Sequence, residues 1–325
     1  MTSVLSDVAV LLPARLHSHA AERIRRTFRA IPLESSDLAA LSADDKAAIR
    51  GMAGGIAIGA SIIDALPNLE IIANFGVGYD GIDARHAASR GVMVTNTPDV
   101  LTEEVADTAV ALLLNTVREL PRAEQWLRQG RWVSEGNYPL SRLTLRGRKA
   151  GIFGMGRIGL AIAKRLEAFG LTIAYHNRRP VEGVAYAYHD TLEGLAQAVD
   201  TLVSVAPGTP ATEKAVNAQV LKALGPDGVF VNIGRGSTVD EPALAQALAD
   251  GAIAAAGLDV FASEPNVPQA LLDLPNVVLL PHVASASHHT REAMADLCVD
   301  NLVSWFSEGK ALTPVPETAD VKPAG

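Results

Sequence analysis

The feature that most restricts the fold of this 325-residue chain is a glycine-rich turn between an apolar run and an amphipathic segment. KAGIF (149–153) has the length of a buried strand, and GMGRIG (154–159) follows it with the spacing G-x-G-x-x-G. LAIAKRLEAFG (160–170) then repeats apolar residues at helical spacing and ends at a glycine. A strand, a tight turn and a helix in this order predict a β-α-β unit, and therefore a parallel sheet covered by helices.

Apolar runs alternate with helical segments along most of the chain, in two series. The first series predicts strands at VAVLLP (8–13), GGIAIGA (54–60), EIIANF (70–75) and VMVT (92–95), and a helix at AAERIRRTFRA (20–30). The second predicts a long helix over 102–130 that is kinked near Pro121, and strands at KAGIFG, LTIAYH, TLVSVAP, GVFVNIG, AIAAAGLDVF and NVVLLP. A final helix is expected over about 290–309, and the tail TPVPETADVKPAG is expected to be a loose end. The alternation predicts an α/β fold of two doubly wound parallel-sheet domains.

Charge and hydropathy exclude several classes of partner. Hydrophobic residues make up 48% of the chain, which is enough for sizeable cores. The net charge of −8 argues against a nucleic-acid binder. The longest apolar runs, such as AVALLL (109–114), fall far short of the roughly 20 residues that a membrane helix needs. The N-terminal MTSVLSDVAVLLP has no basic segment before its apolar run, so we interpret it as a first strand and not as a signal peptide.

The single cysteine, Cys298, excludes an internal disulfide. It recurs at helical spacing with Met294, Leu302 and Trp305, which predicts a buried thiol in the core. A cytoplasmic location fits this cysteine usage. No Cys/His group has the spacing of metal ligands, so we predict no metal site.

The glycine-rich turn has the features of a dinucleotide site. Gly154 permits the tight turn, Gly156 lets the backbone approach a pyrophosphate, and Gly159 lets the helix pack on the strand. The helix N-terminus would face the phosphates with unpaired N–H groups. The alternative is a plain strand–helix turn that needs its glycines for geometry alone.

The segment HNRRP (176–180) predicts which dinucleotide binds. It follows the second strand of this domain, where a carboxylate normally holds the ribose hydroxyls of NAD. Here Asn177, Arg178 and Arg179 replace it, and the arginine fork matches a 2′-phosphate. We therefore predict NADPH as the cofactor, with NADH less favoured. The alternative is that both arginines are solvated loop charges.

Three further strand ends carry ionisable residues. Arg235 follows GVFVNIG, Asp259 and Glu264 follow AIAAAGL, and His282 follows NVVLLP. Ligands of open α/β sheets gather at the carboxyl ends of strands, so these side chains can converge on one small molecule. Taken singly, each residue could equally be a solvated charge, and seven other histidines occur in the chain.

These residue types suit the reduction of a 2-oxo acid. An arginine can bridge the carboxylate and the carbonyl oxygen and stabilise the charge that develops there. A histidine can donate the proton, because the ordinary pKa of imidazole, roughly 6.5, lies near neutral pH. A glutamate can hydrogen-bond the other ring nitrogen and fix its orientation. We assign these roles to Arg235, His282 and Glu264, respectively.

Motifs over nearly the whole chain resemble the D-isomer-specific 2-hydroxyacid dehydrogenases. They are NFGVGYDGID (74–83), TPDVLTEEVADTAVALLL (97–114), GIFGMGRIG, VNIGRGSTVDE (231–241), AGLDVFASEP (256–265) and LLPHVAS (279–285). Within that family, the Asn-Arg-Arg segment and NVPQALLDLPNVVLLPHVAS look most like glyoxylate/hydroxypyruvate reductases. Plant hydroxyphenylpyruvate reductases share this look.

The resemblance implies a wider set of site residues. The catalytic set is Arg235, Glu264 and His282. The substrate contacts are Val77, Gly78 and Tyr79, whose backbone amides hold the carboxylate, with Leu101, Arg235, Trp132 and Tyr138. The cofactor contacts are Thr108, Gly154, Met155, Gly156, Arg157, Ile158, Asn177, Arg178, Arg179, Val205, Ala206, Pro207, Thr212, Ile233, Gly234, Arg235, Asp259, His282, Ala284 and Ser285. Ala284 stands where the family often has glycine, which adds a methyl near the nicotinamide.

The resemblance also implies the domain organisation. A substrate domain would comprise residues 1–98 and 287–325, and a dinucleotide domain residues 99–286, with a cleft between them. A homodimer is expected, joined through the long helix and the arm RWVSEGNYPLSRL (131–143). Trp132 or Tyr138 of this arm would approach the active site of the partner.

Three functions remain open on the sequence. The first is NADPH-dependent reduction of glyoxylate and hydroxypyruvate to D-2-hydroxy acids. The second is reduction of bulkier 2-oxo acids, such as hydroxyphenylpyruvate or 2-ketogluconate; pocket walls at residues 52–56, 77–79, 101 and 131–143 would decide it. The third is a nucleotide-sensing protein like the C-terminal binding corepressors, for which the chain has no added peptide-docking segment.

Overall fold

A computed structural model describes residues 5–34, 37–54 and 57–323, which fall into two compact units. The first unit comprises the chain up to Leu101 together with the chain from Ser287 onward, and the second comprises Thr102–Ala286. Each is built around its own parallel sheet with helices between the strands, so the predicted α/β fold class is confirmed.

Strands and helices alternate through both units. The strands are β1 Ala9–Pro13, β2 Arg29–Leu33, β3 Ile49–Gly54, β4 Ile71–Asn74, β5 Met93–Thr95, β6 Lys149–Phe153, β7 Thr172–His176, β8 Ala187–His189, β9 Thr201–Ser204, β10 Val229–Asn232, β11 Ala255–Leu258 and β12 Val277–Leu279. The helices are α1 Ser18–Thr27, α2 Ala43–Ala48, α3 Ala60–Asp64, α4 Ala84–Ser89, α5 Thr102–Arg118, α6 Leu120–Arg128, α7 Arg131–Glu135, α8 Arg157–Ala168, α9 Leu192–Ala198, α10 Ala218–Leu224, α11 Glu241–Ala249, α12 Gln269–Leu272 and α13 His288–Glu308.

The sheet of the first unit has the strand order β2-β1-β3-β4-β5, and its pairs are parallel. Side chains alternate between two hydrophobic clusters: along β1, Leu11 joins one cluster and Val10 joins the other. Helices α3 and α4 contribute to the first cluster, and α1 and α13 to the second. Because both faces are covered, the interior strand β1 is apolar and buried at every position.

The sheet of the second unit has the strand order β12-β11-β10-β9-β6-β7-β8, again with parallel pairs. Helices α9, α10 and α11 form one hydrophobic cluster with it, while α5 packs on α8 and on strands β10 to β12. The order reverses at β6, and the glycine-rich turn follows that strand. The carboxyl ends of β10, β11 and β12 are neighbours at the same edge of the sheet.

One predicted strand of the first series is wrong. The third strand is Ile49–Gly54 and not GGIAIGA; Gly55 and Ile56 lie outside the described residues, and helix α3 already begins at Ala60. The true strand contains an arginine and two glycines, so its strand propensity is weak. Gly51 lies there because a Cβ would come within 3.0 Å of the Phe306 ring on α13. Tertiary packing therefore selects this strand against its local preference.

Two edge strands do not stand out in the sequence. β2 begins at Arg29, inside the helix predicted over 20–30, because α1 ends at Thr27 and Phe28 is extended. β8 spans three residues and is at most half-buried. Short, partly exposed edge strands lack the apolar run that identifies the central ones.

The long predicted helix is broken, and the tail is ordered. α5 ends at Arg118, Glu119 has φ +55°, and α6 starts at Leu120. A continuous helix would place the ring of Pro121 against the carbonyl four residues earlier. The expectation of a loose tail is wrong for its described part, residues 313–323: Val315 and Thr318 are buried, and the Val94 N–H donates to the Thr318 hydroxyl over 3.1 Å.

Candidate active site

His282 and Glu264 form a hydrogen-bonded pair at the ends of β12 and β11. His282 Nδ1 lies 2.7 Å from Glu264 Oε2, and Glu264 Oε1 accepts the Phe261 N–H at 3.0 Å. The glutamate is therefore held from one side and holds the imidazole from the other. Among the described residues, no protein group bonds His282 Nε2, and the side chain is 46% exposed, so this nitrogen can meet a ligand.

The backbone of His282 is in an uncommon conformation. Its φ is +52°, a region that non-glycine residues rarely adopt, and its N–H donates to the Asp259 carbonyl over 2.8 Å. The turn directs the side chain away from the strand path at the sheet edge, toward Glu264. Such outliers persist where surrounding bonds determine the backbone, as they do here.

Asp259 fixes the segment that follows His282. Its Oδ1 accepts the Val283 N–H at 2.7 Å and its Oδ2 accepts the Ala284 N–H at 3.0 Å. Burial raises the pKa of Asp259, and these two backbone bonds oppose that shift by stabilising the carboxylate. Thr108 donates its hydroxyl to the Ala284 carbonyl at 3.2 Å. Two residues predicted as nicotinamide contacts, Thr108 and Asp259, thus hold the loop that would carry the nicotinamide.

Arg235 lies in a turn that the side chain of Asn232 closes. Asn232 Nδ2 donates to the Arg235 carbonyl at 2.9 Å, and Asn232 Oδ1 accepts the Gly234 N–H at 3.1 Å. The Arg235 guanidinium donates back to the Gly234 carbonyl at 2.8 Å. Asn232 is fully buried. The sequence motifs do not indicate its role, because the sequence does not distinguish one polar residue at a strand end from another.

Gly236 brings the Arg235 turn against the loop that carries Glu264. A Cβ on Gly236 would lie 1.9 Å from the Phe261 carbonyl carbon, so only glycine fits. Glu241 reinforces the contact, because its Oε1 accepts the Ala262 N–H at 2.8 Å. The guanidinium turn, the glutamate loop and the histidine are therefore linked by direct contacts within the second unit.

The glycine-rich turn leaves open space where a ligand backbone would lie. Gly154 has φ +103°, and its Cβ would be 2.9 Å from the Ala206 nitrogen. A Cβ on Gly159 would be 2.3 Å from the Gly154 carbonyl oxygen. In contrast, a Cβ on Gly156 would meet nothing within 4 Å, although Gly156 caps the N-terminus of α8. An unfilled position at a helix N-terminus fits a phosphate-bearing ligand.

The arginine segment lies beside this turn. Asn177 Oδ1 accepts the Met155 N–H at 2.6 Å, so the asparagine oxygen braces the glycine-rich turn. Arg178 and Arg179 are exposed, and within the described chain neither pairs with a carboxylate. Both guanidinium groups can therefore meet an anion.

The other predicted cofactor residues are distributed around the same sheet edge. Val205, Ala206 and Pro207 follow β9, with the Val205 N–H donating to the Phe153 carbonyl at 2.8 Å. Thr212 donates its hydroxyl to the Pro207 carbonyl at 2.6 Å and so shapes this loop. The remaining ones are Arg157 and Ile158, which start α8, Ile233 and Gly234, which follow β10, and Ser285, which is buried after Ala284.

The predicted carboxylate loop, Val77 to Tyr79, lies in the first unit after β4. Asn74 Nδ2 donates to the Gly76 carbonyl at 2.9 Å and to the Gly78 carbonyl at 3.0 Å, and Asn96 Nδ2 donates to the Val77 carbonyl at 2.9 Å. Three successive carbonyls are thus bound to asparagine side chains. In the described part of the chain, the N–H groups of residues 77, 78 and 79 donate to no protein acceptor. The loop therefore presents amides to an anion, and sequence reasoning missed both asparagines.

The side chain of Tyr79 points to the C-terminal segment. Its hydroxyl donates to Glu317 Oε2 at 3.1 Å, and burial together with this bond raises its pKa. Leu101, the last residue of this part of the unit, is buried. Tyr79 is thus supported by the tail that was expected to be loose.

The arm after α6 exposes apolar groups. Trp132 is 59% exposed, and its Nε1 donates to Asn137 Oδ1 at 3.0 Å. Tyr138 donates its hydroxyl to Glu119 at 2.8 Å and its ring contacts the Trp126 ring edge to face, with centroids 5.6 Å apart. Tyr138 therefore supports the arm from within, while the Trp132 ring is accessible.

Two exclusions apply to residues 5–34, 37–54 and 57–323. None of their helices is long and apolar enough to cross a membrane. No group of three or more His, Cys, Asp or Glu side chains in these residues could hold a metal ion.

Comparisons with known proteins identify the family of the chain. The model of the D-isomer specific 2-hydroxyacid dehydrogenase NAD-binding domain matches residues 110–284, more than half of the chain. The NADPH-dependent glyoxylate/hydroxypyruvate reductase of Sinorhizobium meliloti, solved with NADP and malonate, is 61% identical; the match covers 98% of this chain and 100% of that one, with a TM-score of 0.96.

Two curated relatives extend the comparison. Glyoxylate/hydroxypyruvate reductase A of Arabidopsis thaliana is 44% identical over 96% of this chain and 100% of its own length. Hydroxyphenylpyruvate reductase of Plectranthus scutellarioides is 47% identical over 86% of this chain and 88% of its own. The chain therefore belongs to the D-isomer-specific 2-hydroxyacid dehydrogenase family, as its motifs predict.

Proposed function

We propose that this protein is an NADPH-dependent reductase of small 2-oxo acids, glyoxylate and hydroxypyruvate first, that forms D-2-hydroxy acids. The observation that carries the proposal is the His282–Glu264 pair, 2.7 Å apart, on a loop packed against the Arg235 turn. The names of the Sinorhizobium and Arabidopsis relatives support the same substrates.

The cofactor fits the residues present. The open position at Gly156, the N-terminus of α8 and the unpaired Arg178 and Arg179 suit a dinucleotide that carries a 2′-phosphate. When bound, the nicotinamide supplies the hydride. The loop 282–284, held by Asp259, would border that ring.

Arg235 binds and polarises the substrate in this proposal. Its guanidinium offers a planar set of donors that can reach the carboxylate and the carbonyl oxygen of one 2-oxo acid. The positive charge stabilises the negative charge that grows on the oxygen during reduction. In the first unit, the amides of residues 77–79 are available to a carboxylate, because Asn74 and Asn96 bind the carbonyls of Gly76, Val77 and Gly78.

His282 delivers the proton from Nε2. Its Nδ1 faces Glu264 at 2.7 Å, which leaves Nε2 as the ring nitrogen that can donate to a substrate. Glu264 also prevents rotation of the ring, so Nε2 points in one direction. Proton transfer to the carbonyl oxygen leaves a neutral imidazole that is still bonded to Glu264.

A bulkier substrate is the second candidate. The hydroxyphenylpyruvate reductase of Plectranthus shares 47% of its residues with this chain over the matched region, which supports an aromatic 2-oxo acid as well. Of the wall residues predicted to decide the matter, Gly55 and Ile56 lie outside the described part of the chain.

We also propose a homodimer that acts in the cytoplasm. Val133 and Leu140 are 95% and 98% exposed, and Leu127 and Trp132 are more than half exposed. Large apolar side chains clustered in this way mark an interaction surface. In the dimer, the accessible ring of Trp132 is the group of the arm that we expect to contact the substrate.

Initial rates test the proposal. Glyoxylate, hydroxypyruvate, hydroxyphenylpyruvate and 2-ketogluconate are each offered with NADPH and with NADH. We expect the highest kcat/KM for glyoxylate or hydroxypyruvate with NADPH, and a loss of about a hundredfold or more in Arg235→Ala and His282→Ala. The surface variants Arg26→Ala and His86→Ala serve as matched controls and retain activity. Nucleotide binding without turnover of any 2-oxo acid would favour the nucleotide-sensing alternative.

A further inference from the structure

Two tyrosine hydroxyls hold the ends of the loop that carries Arg178 and Arg179. The Tyr188 hydroxyl on β8 donates to the Asn177 carbonyl at 3.2 Å. At the other end, the Val181 N–H donates to the Tyr175 hydroxyl on β7 at 2.9 Å. The two rings are themselves in contact, with centroids 5.4 Å apart. The loop is therefore bound at residues 177 and 181 by two tyrosines whose rings contact each other at a tilt of 58°.

A third bond fixes the same loop against the glycine-rich turn. Asn177 Oδ1 accepts the Met155 N–H at 2.6 Å, so residue 177 is held through its backbone carbonyl and through its side chain. Tyr175 is 1% exposed, which gives its hydroxyl a fixed position. Only residues 178 to 180, which lie between the bonded residues 177 and 181, are free of such bonds within the described chain.

These hydrogen bonds at residues 177 and 181 are important because the two arginines lie between them. Arg178 and Arg179 are exposed and, in the described residues, have no carboxylate partner. An arginine on a mobile loop must be ordered when it binds an anion, and that ordering weakens binding. A loop fixed at both ends reduces this cost, and the benefit applies only to ligand groups that contact the arginines.

We propose that Tyr188 and Tyr175 are positioning residues that set the preference for a 2′-phosphorylated dinucleotide by holding the arginine loop. The inference rests on the proposed NADPH preference and names residues that act on it without touching the ligand. Removal of the Tyr188 hydroxyl weakens binding of ligands with a 2′-phosphate and leaves those without it unchanged.

The chain supplies a matched control two residues away. Tyr186 donates its hydroxyl at 2.6 Å to Glu167, which lies on α8 and not in the loop. The variants Tyr188→Phe and Tyr186→Phe therefore each remove one hydrogen-bonded hydroxyl from the same edge of the unit. A general effect of losing a tyrosine hydroxyl would appear in both.

Binding is measured by calorimetry on the purified full-length protein. The ligands are NADP+ and NAD+, together with the fragments adenosine 2′,5′-bisphosphate and 5′-AMP, so no turnover is needed. In Tyr188→Phe we expect Kd for NADP+ and for the bisphosphate to rise about three- to tenfold, with NAD+ and 5′-AMP within error of wild type. Tyr186→Phe should match wild type for all four ligands.

The double variant Arg178→Ala/Arg179→Ala separates this inference from the proposed cofactor preference. We expect it to abolish the preference for NADP+, and adding Tyr188→Phe to it should then have no further effect. If wild type shows no preference for NADP+, the proposed cofactor choice is wrong. If wild type shows the preference and the arginine variant retains it, the cofactor choice stands, but the roles of the arginines and of the tyrosines are both wrong. If the arginine variant loses the preference while Tyr188→Phe binds all four ligands like wild type, only the role of the tyrosines is wrong.

A merely structural role has a different signature. Equal weakening of NADP+ and NAD+ in Tyr188→Phe would overturn the proposal. Tyr175→Phe repeats the test from the other end of the loop. Because Tyr175 is buried, the melting temperature of Tyr175→Phe is measured as well. If Tyr175→Phe does not fold, the binding data for Tyr188→Phe alone test the proposal.

Discussion

Two glycine-containing turns, one in each unit, offer backbone amides by different means. In the second unit, the glycine-rich turn runs into α8, which begins at Arg157, and a helix N-terminus directs its first N–H groups outward along the helix axis. In the first unit, Gly76–Tyr79 is followed by no helix for several residues. Its amides are directed outward because Asn74 and Asn96 bind the three carbonyls between them.

The difference shows why only one of these sites is evident in the sequence. A helix N-terminus presents amides through regular geometry, and the spacing of the glycines indicates such a site in the sequence. The loop of the first unit needs side chains that bind particular carbonyls, and an asparagine in a sequence does not indicate which carbonyl it will meet. Substitutions at the two turns should therefore fail in different ways.

The largest effect should come from Gly159→Ala. The added Cβ would lie 2.3 Å from the Gly154 carbonyl oxygen, and backbone on both sides leaves little room to relax. We expect the free energy of unfolding, measured in urea, to fall by about 3 kcal/mol. Gly59→Ala, whose Cβ would meet nothing within 4 Å, is the control and should stay within about 0.5 kcal/mol of wild type. Similar stability for both variants would show that the turn is not closed by this contact.

Gly156→Ala should separate binding from stability at the same turn. Its Cβ enters open space, so we expect unchanged urea denaturation but a Kd for NADP+ raised about tenfold or more, because the methyl occupies the space of the pyrophosphate. Calorimetry and denaturation on one preparation provide both readouts. Unimpaired NADP+ binding would contradict the proposal that the cofactor occupies the open space at Gly156.

Asn74→Ala tests the turn of the first unit. Loss of two hydrogen bonds should let the loop carbonyls rotate and raise KM for glyoxylate about five- to tenfold, with Kd for NADP+ unchanged. Asn68→Ala also removes an asparagine amide bonded to a carbonyl, that of Ala47, and should leave KM unchanged. A rise in KM in both variants, or in neither, would contradict the role assigned to Asn74.

The smallest effect should come from Glu317→Gln. The Tyr79–Glu317 bond is near the surface, so we expect KM for glyoxylate to change by about twofold or less. A larger change than in Asn74→Ala would mean that the tail, and not the asparagines, orders the loop. Steady-state kinetics of the two variants side by side provide the test.

Much of the fold was predictable because central strands are continuous apolar runs. β1, β6 and β10 are buried at nearly every position, which the sequence displays directly. β3 was not predictable, because its Gly51 serves the approach of α13, more than 200 residues away in the chain. The tail was misjudged for the same kind of reason, since its polar composition hides the burial of Val315 and Thr318 against β5.

The catalytic candidates could be predicted from the sequence, because each combines a reactive side chain with a position after a strand end. Arg235, Glu264 and His282 follow strand ends, within motifs that the family shares. The supporting roles of Asn232 and Asp259 could not be predicted from the sequence. Both side chains bind backbone groups whose proximity depends on how neighbouring strands align.

The sequence by itself determined the fold class, the family and the residue types available for hydride-transfer chemistry, because spacing along one chain encodes strands, turns and motifs. Only the tertiary structure decided which polar side chains direct backbone groups: the asparagines beneath the first unit's loop, Asp259 behind His282, and the tyrosines at the arginine loop. The physical reason is that a motif is a local pattern, whereas each of these bonds depends on the exact distance to a partner that packing brings close.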